Sequence, residues 1–380
     1  MNKNSSEKIN ILFIIDVLKG IGGTENHLYY LTKYLRKERF NCFIVAFDVN
    51  KKFVKRFIKE GIKFYHIPVA RYYTPNALVR AFELKKIIKE NNIDIVQTFH
   101  FKSDTYGVVV SKISGVRNIL SSRRDSGFLK NKIQILLNKI INSYVSNIVT
   151  VSEAVSEQVI VKEKFPKSKQ VTIYNGVDLS RFNLPAAKEI LNYKSQLGIG
   201  EGDFVVGTVA NFRPEKNYDI FFKGLKNARR SIDNLKILAV GFGPLLTFYK
   251  DFCSKNGMND YTLFAGKVRD VRKYISVMDV ACLISSTEGF SNSLLEKMAM
   301  AKPLVVTGVG GNKEVVIDGE NGVIIPPRDY VKLTEAIISF YHSQANRKKM
   351  GEKGREIIEK YFSLQKMISN YEKFYEGIVK

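Results

Sequence analysis

The sequence predicts an α/β protein made of two Rossmann-like, doubly wound domains that face a central cleft. Short apolar runs of strand length alternate with stretches of helical periodicity through most of the chain. Most of these runs end in a loop that carries glycine or a charged residue, as is typical of the carboxyl ends of parallel strands. A length of 380 residues suits two domains of ordinary size. Both halves are therefore expected to repeat strand–loop–helix units.

The first domain opens on a βαβ unit. Residues 9–15 predict a strand, residues 20–25 a glycine-rich loop that leads into a helix, and residues 43–47 a second strand. Asp48 ends that second strand, which approaches the fingerprint of dinucleotide-binding proteins. The fingerprint requires a third glycine where this chain has Glu25. NAD binding is therefore not expected.

The same alternation continues to the end of the first domain. Its other strands are predicted at residues 62–68, 93–98, 118–122, 148–152 and 171–176, and two of its helices at about 75–90 and 103–114. Segment 183–202 contains one proline and three glycines and is interpreted as a linker. We expect an N-terminal domain at 1–182, a C-terminal domain at 183–360, and a final helix at 361–380 that packs back on the N-terminal domain.

The second domain repeats the pattern, and each strand leads into a loop of distinctive composition. Strands are predicted at residues 204–210, 235–240, 261–266, 280–284 and 304–306. The loops that follow them begin at Asn211, Gly241, Lys267, Ser285 and Gly308. A long helical region is expected from about residue 330.

Two glutamates stand eight positions apart across one of these loops. Glu288 is expected on the loop beyond a strand, and Glu296 on the next helix, which Ser291 or Asn292 can cap. The backbone N–H groups from Gly289 onward are expected to point into the same crevice, where the helix dipole favours an anion. Carboxylate oxygens accept hydrogen bonds from sugar hydroxyls. This combination suits a nucleotide-sugar.

The segment from Glu288 to Glu296, with its Gly-Phe-Ser insert, resembles the E-x7-E motif of the retaining glycosyltransferases of the group 1 or family 4 type, which have the GT-B fold. Residues 175–178 (Asn-Gly-Val-Asp) and the Gly-x-Gly-Pro segment at 241–244 are similar to further signatures of that family. The resemblance covers about residues 9–360. It implies an acceptor-binding first domain and a nucleotide-sugar-binding second domain.

The resemblance also implies roles for individual residues. Glu288 is expected to contact the donor sugar and Glu296 the ribose. The other residues expected in donor binding are Gly289, Phe290, Ser291, Asn292, Gly241 and Val268.

Two cations are expected to stabilise the leaving diphosphate, whose negative charge grows as the glycosidic bond breaks. The family usually has an Arg directly after the second domain's first strand and a Lys five residues later. Lys216 matches the Lys, but Asn211 occupies the position of the Arg. Arg213 is predicted to substitute for it.

The first domain contributes four candidates near the phosphate or the acceptor. Gly22 and Gly23 resemble the family's first loop, where the backbone approaches donor phosphate and acceptor. The family often has an active-site His where this chain reads Ser122-Arg123-Arg124. Arg123 is therefore a candidate for a donor or acceptor contact, and His100 is a second.

No metal ion or other cofactor is expected. No Asp-x-Asp-like motif follows a predicted strand. In retaining members of this fold the departing phosphate is thought to accept the acceptor's proton, so no glycosidase-like carboxylate pair is required. Cys42, Cys253 and Cys282 lack metal-ligand spacing and are interpreted as reduced thiols.

The chain is strongly basic, with a formal charge of +23. Residues 1–180 account for +15 of this charge and the remainder for +8. A basic half can bind nucleic acid, an anionic membrane or phosphorylated substrates, and it can also reflect a lysine-rich proteome. No helix-turn-helix, zinc or RNP pattern occurs, so nucleic acid is not an expected partner.

One hypothesis places the protein peripherally on the inner face of the cell membrane. The first residues are polar, and no apolar run approaches the ~20 residues of a membrane span, so a cytoplasmic protein is expected. Residues 123–140 and 51–57 combine cations with apolar side chains that could rest on anionic lipid. The apolar stripe of Ile133, Leu136, Leu137 and Ile140 is interpreted as core.

The expected function is transfer of a hexose-type sugar from a nucleoside diphosphate, with UDP the expected carrier. The acceptor would be a saccharide or a lipid-linked saccharide in cell-surface polysaccharide synthesis. Two alternatives remain open: a nucleotide-sugar epimerase of similar two-domain shape, and a catalytically inactive nucleotide-sugar-binding protein. Release of free UDP would separate a transferase from the epimerase.

Overall fold

The computed structural model describes residues 7–20, 22–70, 74–125, 127 and 131–379. The chain divides into two compact units, and each is built on a parallel sheet. Residues 1–175 and 365–380 form the first unit, and residues 176–364 form the second.

The sheet of the first unit has the strand order β3-β2-β1-β4-β5-β6-β7. Its strands are β1 (Ile9–Leu18), β2 (Phe40–Val49), β3 (Lys63–His66), β4 (Ile95–Phe99), β5 (Asn118–Arg123), β6 (Asn147–Thr150) and β7 (Gln170–Thr172). Residues 11–15 of β1 have no exposed surface, as expected for a central parallel strand that is covered on both faces.

The sheet of the second unit has the order β10-β9-β8-β11-β12-β13. Its strands are β8 (Phe204–Val209), β9 (Leu235–Val240), β10 (Thr262–Gly266), β11 (Val280–Leu283), β12 (Leu304–Thr307) and β13 (Gly322–Ile325). The chain moves outward from β8 to β10 and then returns to the other side of β8. Both sheets therefore have the reversal of strand order that defines a doubly wound fold.

Helices connect the strands in both units. In chain order, those of the described residues are α1 (Gly23–Tyr34), α2 (Lys51–Lys59), α3 (Pro75–Glu90), α4 (Val108–Ile113), α5 (Lys132–Ile141), α6 (Glu153–Gln158), α7 (Ala187–Gln196), α8 (Tyr218–Ala228), α9 (Leu246–Lys255), α10 (Arg272–Ser276), α11 (Asn292–Ala299), α12 (Tyr330–His342), α13 (Gln344–Tyr361) and α14 (Leu364–Val379). Short 3₁₀ and π segments, including Pro214–Lys216 and Val159–Glu163, complete the connections.

An aromatic cluster in the second unit fixes the loop that follows β8. The rings of Phe212 and Tyr218 stack with their centroids 4.0 Å apart, and Tyr249 packs against both. The Tyr218 hydroxyl donates a hydrogen bond of 2.8 Å to the Ala210 carbonyl. Aromatic packing of this kind stabilises beyond the area it buries. The loop is therefore held at both of its ends.

Several boundaries differ from those predicted. Helix α1 begins at Gly23, so the glycine-rich loop is shorter than residues 20–25. The predicted linker at 183–202 contains α7 and belongs to the second unit, as do residues 176–182. Glycine and proline mark chain reversals, and they do so within a unit as well as between units.

The last sixteen residues are grouped with the first unit. Arg36 donates a hydrogen bond of 2.9 Å to the Glu372 carboxylate on α14. The buried Tyr375 hydroxyl donates to the Gln97 side chain on β4. Helix α14 thus contributes both a buried polar contact and a surface ion pair to this unit.

The apolar stripe of α5 lies on the surface and not in the core. Ile133 is 70% exposed, Leu136 57% and Ile140 55%. The inward side of α5 instead presents Asn138, which is buried and donates to the Glu163 carboxylate at 2.9 Å. The interpretation of this stripe as core is therefore wrong, because a buried carboxylate attracts the polar side of the helix. Lys130, in the same basic segment, lies outside the described residues.

Candidate active site

The loops at the carboxyl edge of the second sheet meet where the strand order reverses, between β8 and β11. In open α/β sheets, ligands bind in the crevice at such a reversal. The loop after β8 carries Arg213 and Lys216, and the loop after β11 carries Glu288. The Ser286 N–H donates to the Glu215 carbonyl at 2.8 Å and ties the two loops together.

Lys216 and Glu288 form an ion pair at this position. The Lys216 Nζ lies 2.5 Å from the Glu288 Oε1, and both side chains are largely buried. The same oxygen accepts a hydrogen bond of 2.6 Å from the Ser285 hydroxyl. Two residues that the sequence assigned to phosphate and to sugar are thus brought into direct contact. Ser285 was not predicted, because a serine at a strand end gives no specific signal.

A glycine on the loop after β12 supports the backbone of Glu288. Gly310 has φ +49°, and a Cβ at this residue would lie 1.8 Å from the Glu288 carbonyl oxygen. The neighbouring Gly311 N–H donates to the Gly289 carbonyl at 3.2 Å. Only glycine combines this conformation with so close an approach. The position of Glu288 therefore depends on two loops besides its own.

Helix α11 begins beside this pair. Ser291 is its N-cap and accepts a hydrogen bond from the Leu294 N–H, so Ser291 and not Asn292 caps the helix. Glu296 lies on the same helix, and burial raises the pKa of its carboxyl to about 7. The positive charges of Lys297 and Arg181 partly oppose this rise in the pKa. Near neutral pH this carboxyl is poised between its acceptor-only and its donor forms.

Two more of the predicted donor residues lie on neighbouring loops. Gly241 has φ +150°, and a Cβ there would lie 1.9 Å from the Ala210 carbonyl oxygen, so the loop after β9 closely approaches the loop after β8. Val268 follows β10 and lines a cavity of about 670 Å³. Five cations share that lining: Arg181, Lys267, Arg269, Arg272 and Lys273.

Phe290 and Arg213 differ in how available their side chains are to a ligand. The ring of Phe290 is buried against Phe362, with the ring centroids 5.6 Å apart, so the ring does not present a surface for a sugar or base. Arg213 is exposed and makes no side-chain hydrogen bond or ion pair within the described residues. Its predicted role as a cation remains a prediction.

Lys297 was missed by the sequence analysis. Its side chain has no exposed surface, and its Nζ donates a hydrogen bond of 2.9 Å to the Cys282 carbonyl. It follows Glu296 directly and lies within an otherwise apolar face of α11. A lysine in such a stripe is usually interpreted as a solvated residue, so no sequence signal identified it.

In the first unit, Gly22, Gly23 and His100 follow the two strands at which that sheet reverses, β1 and β4. Gly22 is the N-cap of α1. His100 is exposed at φ +79°, and its charge lowers the pKa of Asp16, which burial raises overall. These three predicted residues thus share one edge of the first sheet.

Arg123 is not available for the contact that was predicted for it. It is buried and donates to Asp104 at 2.6 Å and to Glu163 at 2.9 Å. A buried arginine with two carboxylate partners is a structural ion-pair network. The adjacent Arg124 is half-buried and donates to the Asn175 side chain at 2.7 Å. No local signal distinguishes the two arginines in the sequence.

Comparison with known proteins assigns both halves of the chain. Residues 189–357 match the family described as Glycosyl transferases group 1, and residues 21–181 match Glycosyltransferase Family 4. Together these two segments span most of the chain, so both halves of the chain are similar to glycosyltransferase domains. The Glu288 loop and α11 both lie in the segment that matches the group 1 family.

Relatives and solved structures agree with these matches. The chain is 29% identical to the uncharacterized glycosyltransferase MJ1178 of Methanocaldococcus jannaschii, over 94% of this chain and 95% of the relative. It is 24% identical to the capsular polysaccharide biosynthesis glycosyltransferase CapM of Staphylococcus aureus, over 64% and 65%. The crystal structure of Anabaena HepE in complex with UDP superposes with a TM-score of 0.87 at 18% identity, over 97% and 100%. The predicted GT-B class of fold is confirmed.

We predict that Gly310→Ala will destabilise the protein more than Gly319→Ala does. Gly319 also has a positive φ, of +78°, but no atom lies within 4 Å of its added Cβ. Both variants incur the backbone strain of ~1 kcal/mol or more. Gly310→Ala should lose a further ~1–3 kcal/mol because the Glu288 backbone must move. Denaturant titration of both variants measures the difference, and equal losses would show that the contact is unimportant.

We predict that Glu296→Gln will change the pH dependence of stability. The folded-state pKa of Glu296 is raised to about 7. The folded protein therefore binds more protons than the unfolded chain from about pH 4.5 to 7, and this group's contribution to stability falls as pH rises through that window. The variant lacks this term, so its unfolding free energy relative to the wild type should increase from pH 5 to pH 8. Glu320→Gln, at an exposed site, is the control, and parallel pH profiles for wild type and Glu296→Gln would contradict the prediction.

Proposed function

We propose that the protein transfers a sugar from a nucleoside diphosphate sugar to a saccharide or lipid-linked saccharide, with retention of configuration at the anomeric carbon. The observation that carries the proposal is the Lys216–Glu288 ion pair beside the N-terminus of α11, within a group 1 glycosyltransferase domain. It combines a cation, a carboxylate and backbone N–H donors at the reversal of the sheet.

The ion pair suggests how the donor is received. When a diphosphate arrives, Lys216 can exchange its carboxylate partner for a phosphate oxygen, and Glu288 is then free to accept hydrogen bonds from sugar hydroxyls. Ser285 would keep the Glu288 carboxylate oriented, since its hydroxyl already donates to that oxygen. Arg213, which is exposed beside Lys216, supplies the second cation.

The proposed sugar transfer builds up negative charge on the leaving diphosphate. The bond from the anomeric carbon to the phosphate oxygen breaks, and a bond to the acceptor oxygen forms on the same face of the sugar. The departing phosphate oxygen takes the proton of the acceptor hydroxyl. Lys216, Arg213 and the N–H groups at the start of α11 stabilise the negative charge that accumulates on the leaving diphosphate. The epimerase alternative has no acceptor and releases no free nucleoside diphosphate.

The rest of the donor binds along the same edge of the sheet. Glu296 is proposed to hold the ribose hydroxyls, and Gly241 and Val268 the remainder of the nucleotide. UDP is the proposed carrier, with support from the fold shared with HepE, which was crystallised in complex with UDP. The similarity to CapM supports a polysaccharide acceptor.

We predict that Lys216→Ala will reduce kcat by ~10²–10³-fold and weaken UDP binding much less, because the charge it stabilises is largest in the transition state. Lys223→Ala removes an exposed lysine from α8 of the same unit and should behave like the wild type. Release of UDP from UDP-sugars with candidate acceptors measures kcat, and calorimetry measures UDP affinity. If Arg213→Ala retains full activity while Asn211→Ala is inactive, Arg213 is not the second cation. Sugar inversion without UDP release would favour the epimerase.

We also propose that the first unit attaches peripherally to anionic membrane through the outer face of α5. Its apolar residues Ile133, Leu136 and Ile140 are exposed, and Lys132 and Lys139 are exposed beside them. An amphipathic helix with its apolar side outward and flanking lysines is suited to a membrane interface. On α2, Phe53, Val54 and Phe57 are buried and only Ile58 is exposed, so that helix can contribute mainly its basic side chains. Within the described part of the chain, every helix is too short or too polar to cross a bilayer.

We predict that replacing Ile133, Leu136 and Ile140 with serine will abolish flotation with phosphatidylglycerol vesicles at low salt. The wild type should float with these vesicles, ignore neutral ones, and release at high salt, since each basic residue near the surface contributes ~1 kcal/mol. The matched control replaces Leu184, Phe248 and Val331, exposed apolar residues of the second unit, with serine. Equal flotation of both variants would show that another surface binds the membrane. If the wild type does not bind anionic vesicles, the membrane proposal fails and a soluble acceptor is favoured.

A further inference from the structure

Lys297 is a buried lysine without an anionic partner. Its side chain has no exposed surface. The Nζ donates a hydrogen bond of 2.9 Å to the Cys282 carbonyl, one residue before the end of β11, and that oxygen also accepts from the Thr208 hydroxyl at 2.9 Å. Within the described residues, no carboxylate lies within ion-pair distance of the Nζ.

The charged groups around Lys297 come from each neighbouring element. Glu296 lies on α11 itself, Glu288 on the loop after β11, Lys216 on the loop after β8, and the Cys282 thiol on β11. Helix α13 packs on α11, and its Arg355 donates to the Ala299 carbonyl. The Glu288 carboxylate is already engaged by Lys216. The ammonium of Lys297 is therefore only partly compensated.

Packing does not account for this ammonium. Removing a charge from water is unfavourable unless it is paired, and burial lowers the pKa of Lys297 to about 8. The surrounding face of α11 consists of Leu294, Leu295 and Met298. A methionine at position 297 would fill nearly the same space without the desolvation penalty. The described residues supply no ion-pair partner for this charge, and an anion that binds to the loop after β11 would supply one.

We propose that Lys297 is a positioning residue of the donor site, a buried positive charge beneath the Glu288 loop that becomes compensated when the donor diphosphate binds. The inference rests on the proposed function, because it requires an anionic donor at this loop. Lys297 touches neither phosphate nor sugar; it acts through the electrostatic field at the end of β11. Because Lys297 is buried, its charge is poorly screened by solvent and acts over several ångströms.

Donor binding should change the protonation of Lys297. A bound diphosphate favours the charged form of Lys297, so donor binding near pH 8 should take up protons at this residue. The sign follows from linkage: a group that is protonated more fully in the complex makes binding tighter at lower pH and weaker at higher pH. UDP affinity should therefore decrease as the pH rises from about 7.5 to 9.5.

The chain offers a matched control in Lys302. Burial lowers the pKa of Lys302 to about 8 as well, and its Nζ donates to one carbonyl, that of Ser276, at 2.7 Å. Ser276 and Lys302 precede β11 and β12, so they lie at the amino edge of the sheet, opposite to Glu288. Lys302→Met therefore removes a second lysine whose pKa is lowered by burial, with a partly exposed side chain, from the opposite edge of the sheet.

The experiment is calorimetric titration of UDP into wild type, Lys297→Met and Lys302→Met at several pH values. We expect Lys297→Met to bind UDP ~10–100-fold more weakly near pH 7.5, to melt at an equal or higher temperature, and to lose the decrease in affinity toward pH 9.5. Lys302→Met should keep the affinity and pH profile of the wild type. In the wild type alone, titration at pH 8 in two buffers of different ionisation enthalpy should show proton uptake.

The outcomes separate this inference from the proposed function. If the wild type binds neither UDP nor GDP, dTDP or ADP, the proposed function fails and this inference fails with it. If the wild type binds UDP but Lys297→Met shows the same affinity and pH profile, only the positioning role is overturned. Should Lys297→Met fold poorly, the proton uptake of the wild type decides, and its absence at pH 8 overturns the inference.

Discussion

The pairing of β8 with β11 is the constraint on which the second unit's site depends. These strands are far apart in sequence but adjacent in the sheet, with Val206 opposite Val280 and Thr208 opposite Cys282. Their parallel direction sends both chain ends to one edge, where Lys216 meets Glu288. Gly207 allows Met278 to pack against β8, because a Cβ there would lie 2.5 Å from the end of the Met278 side chain, which would have to move. The register of this strand pair therefore determines both the packing beneath the sheet and the position of the candidate site at its edge.

The site concentrates charge where the fold alone would avoid it. Glu296 and Lys297 are neighbours on one helix, and burial shifts the pKa of each toward its neutral form. In the free protein Lys216 and Glu288 neutralise each other, and this ion pair would have to break for a ligand to bind either residue. Such arrangements lower stability and are typical of functional sites. Variants that neutralise these charges are therefore expected to separate stability from binding.

The sequence was sufficient for the elements whose signal is local. Apolar runs identified the strands that precede Lys216 and Glu288, and Ser291 was one of two candidate caps for α11. It was insufficient where a partner lies far along the chain. Arg123 was a candidate because it stands where the family often has a His, and its partners Asp104 and Glu163 belong to segments with no visible link to β5. The burial of the Phe290 ring and of Lys297 was likewise not visible in the sequence, since burial is decided by which elements pack around these residues.

Helix α5 shows why periodicity does not fix orientation. Its sequence contains a clear apolar stripe, and the usual expectation turns that stripe inward. The carboxylate of Glu163 reverses this, since it is buried by Arg123 and needs further donors, which Asn138 and Asn142 supply from the α5 segment. Satisfying one buried charge takes precedence, because an unpaired polar group in the core is more unfavourable than an exposed aliphatic face. The ion-pair network that removes Arg123 from the proposed chemistry therefore also directs Ile133, Leu136 and Ile140 outward.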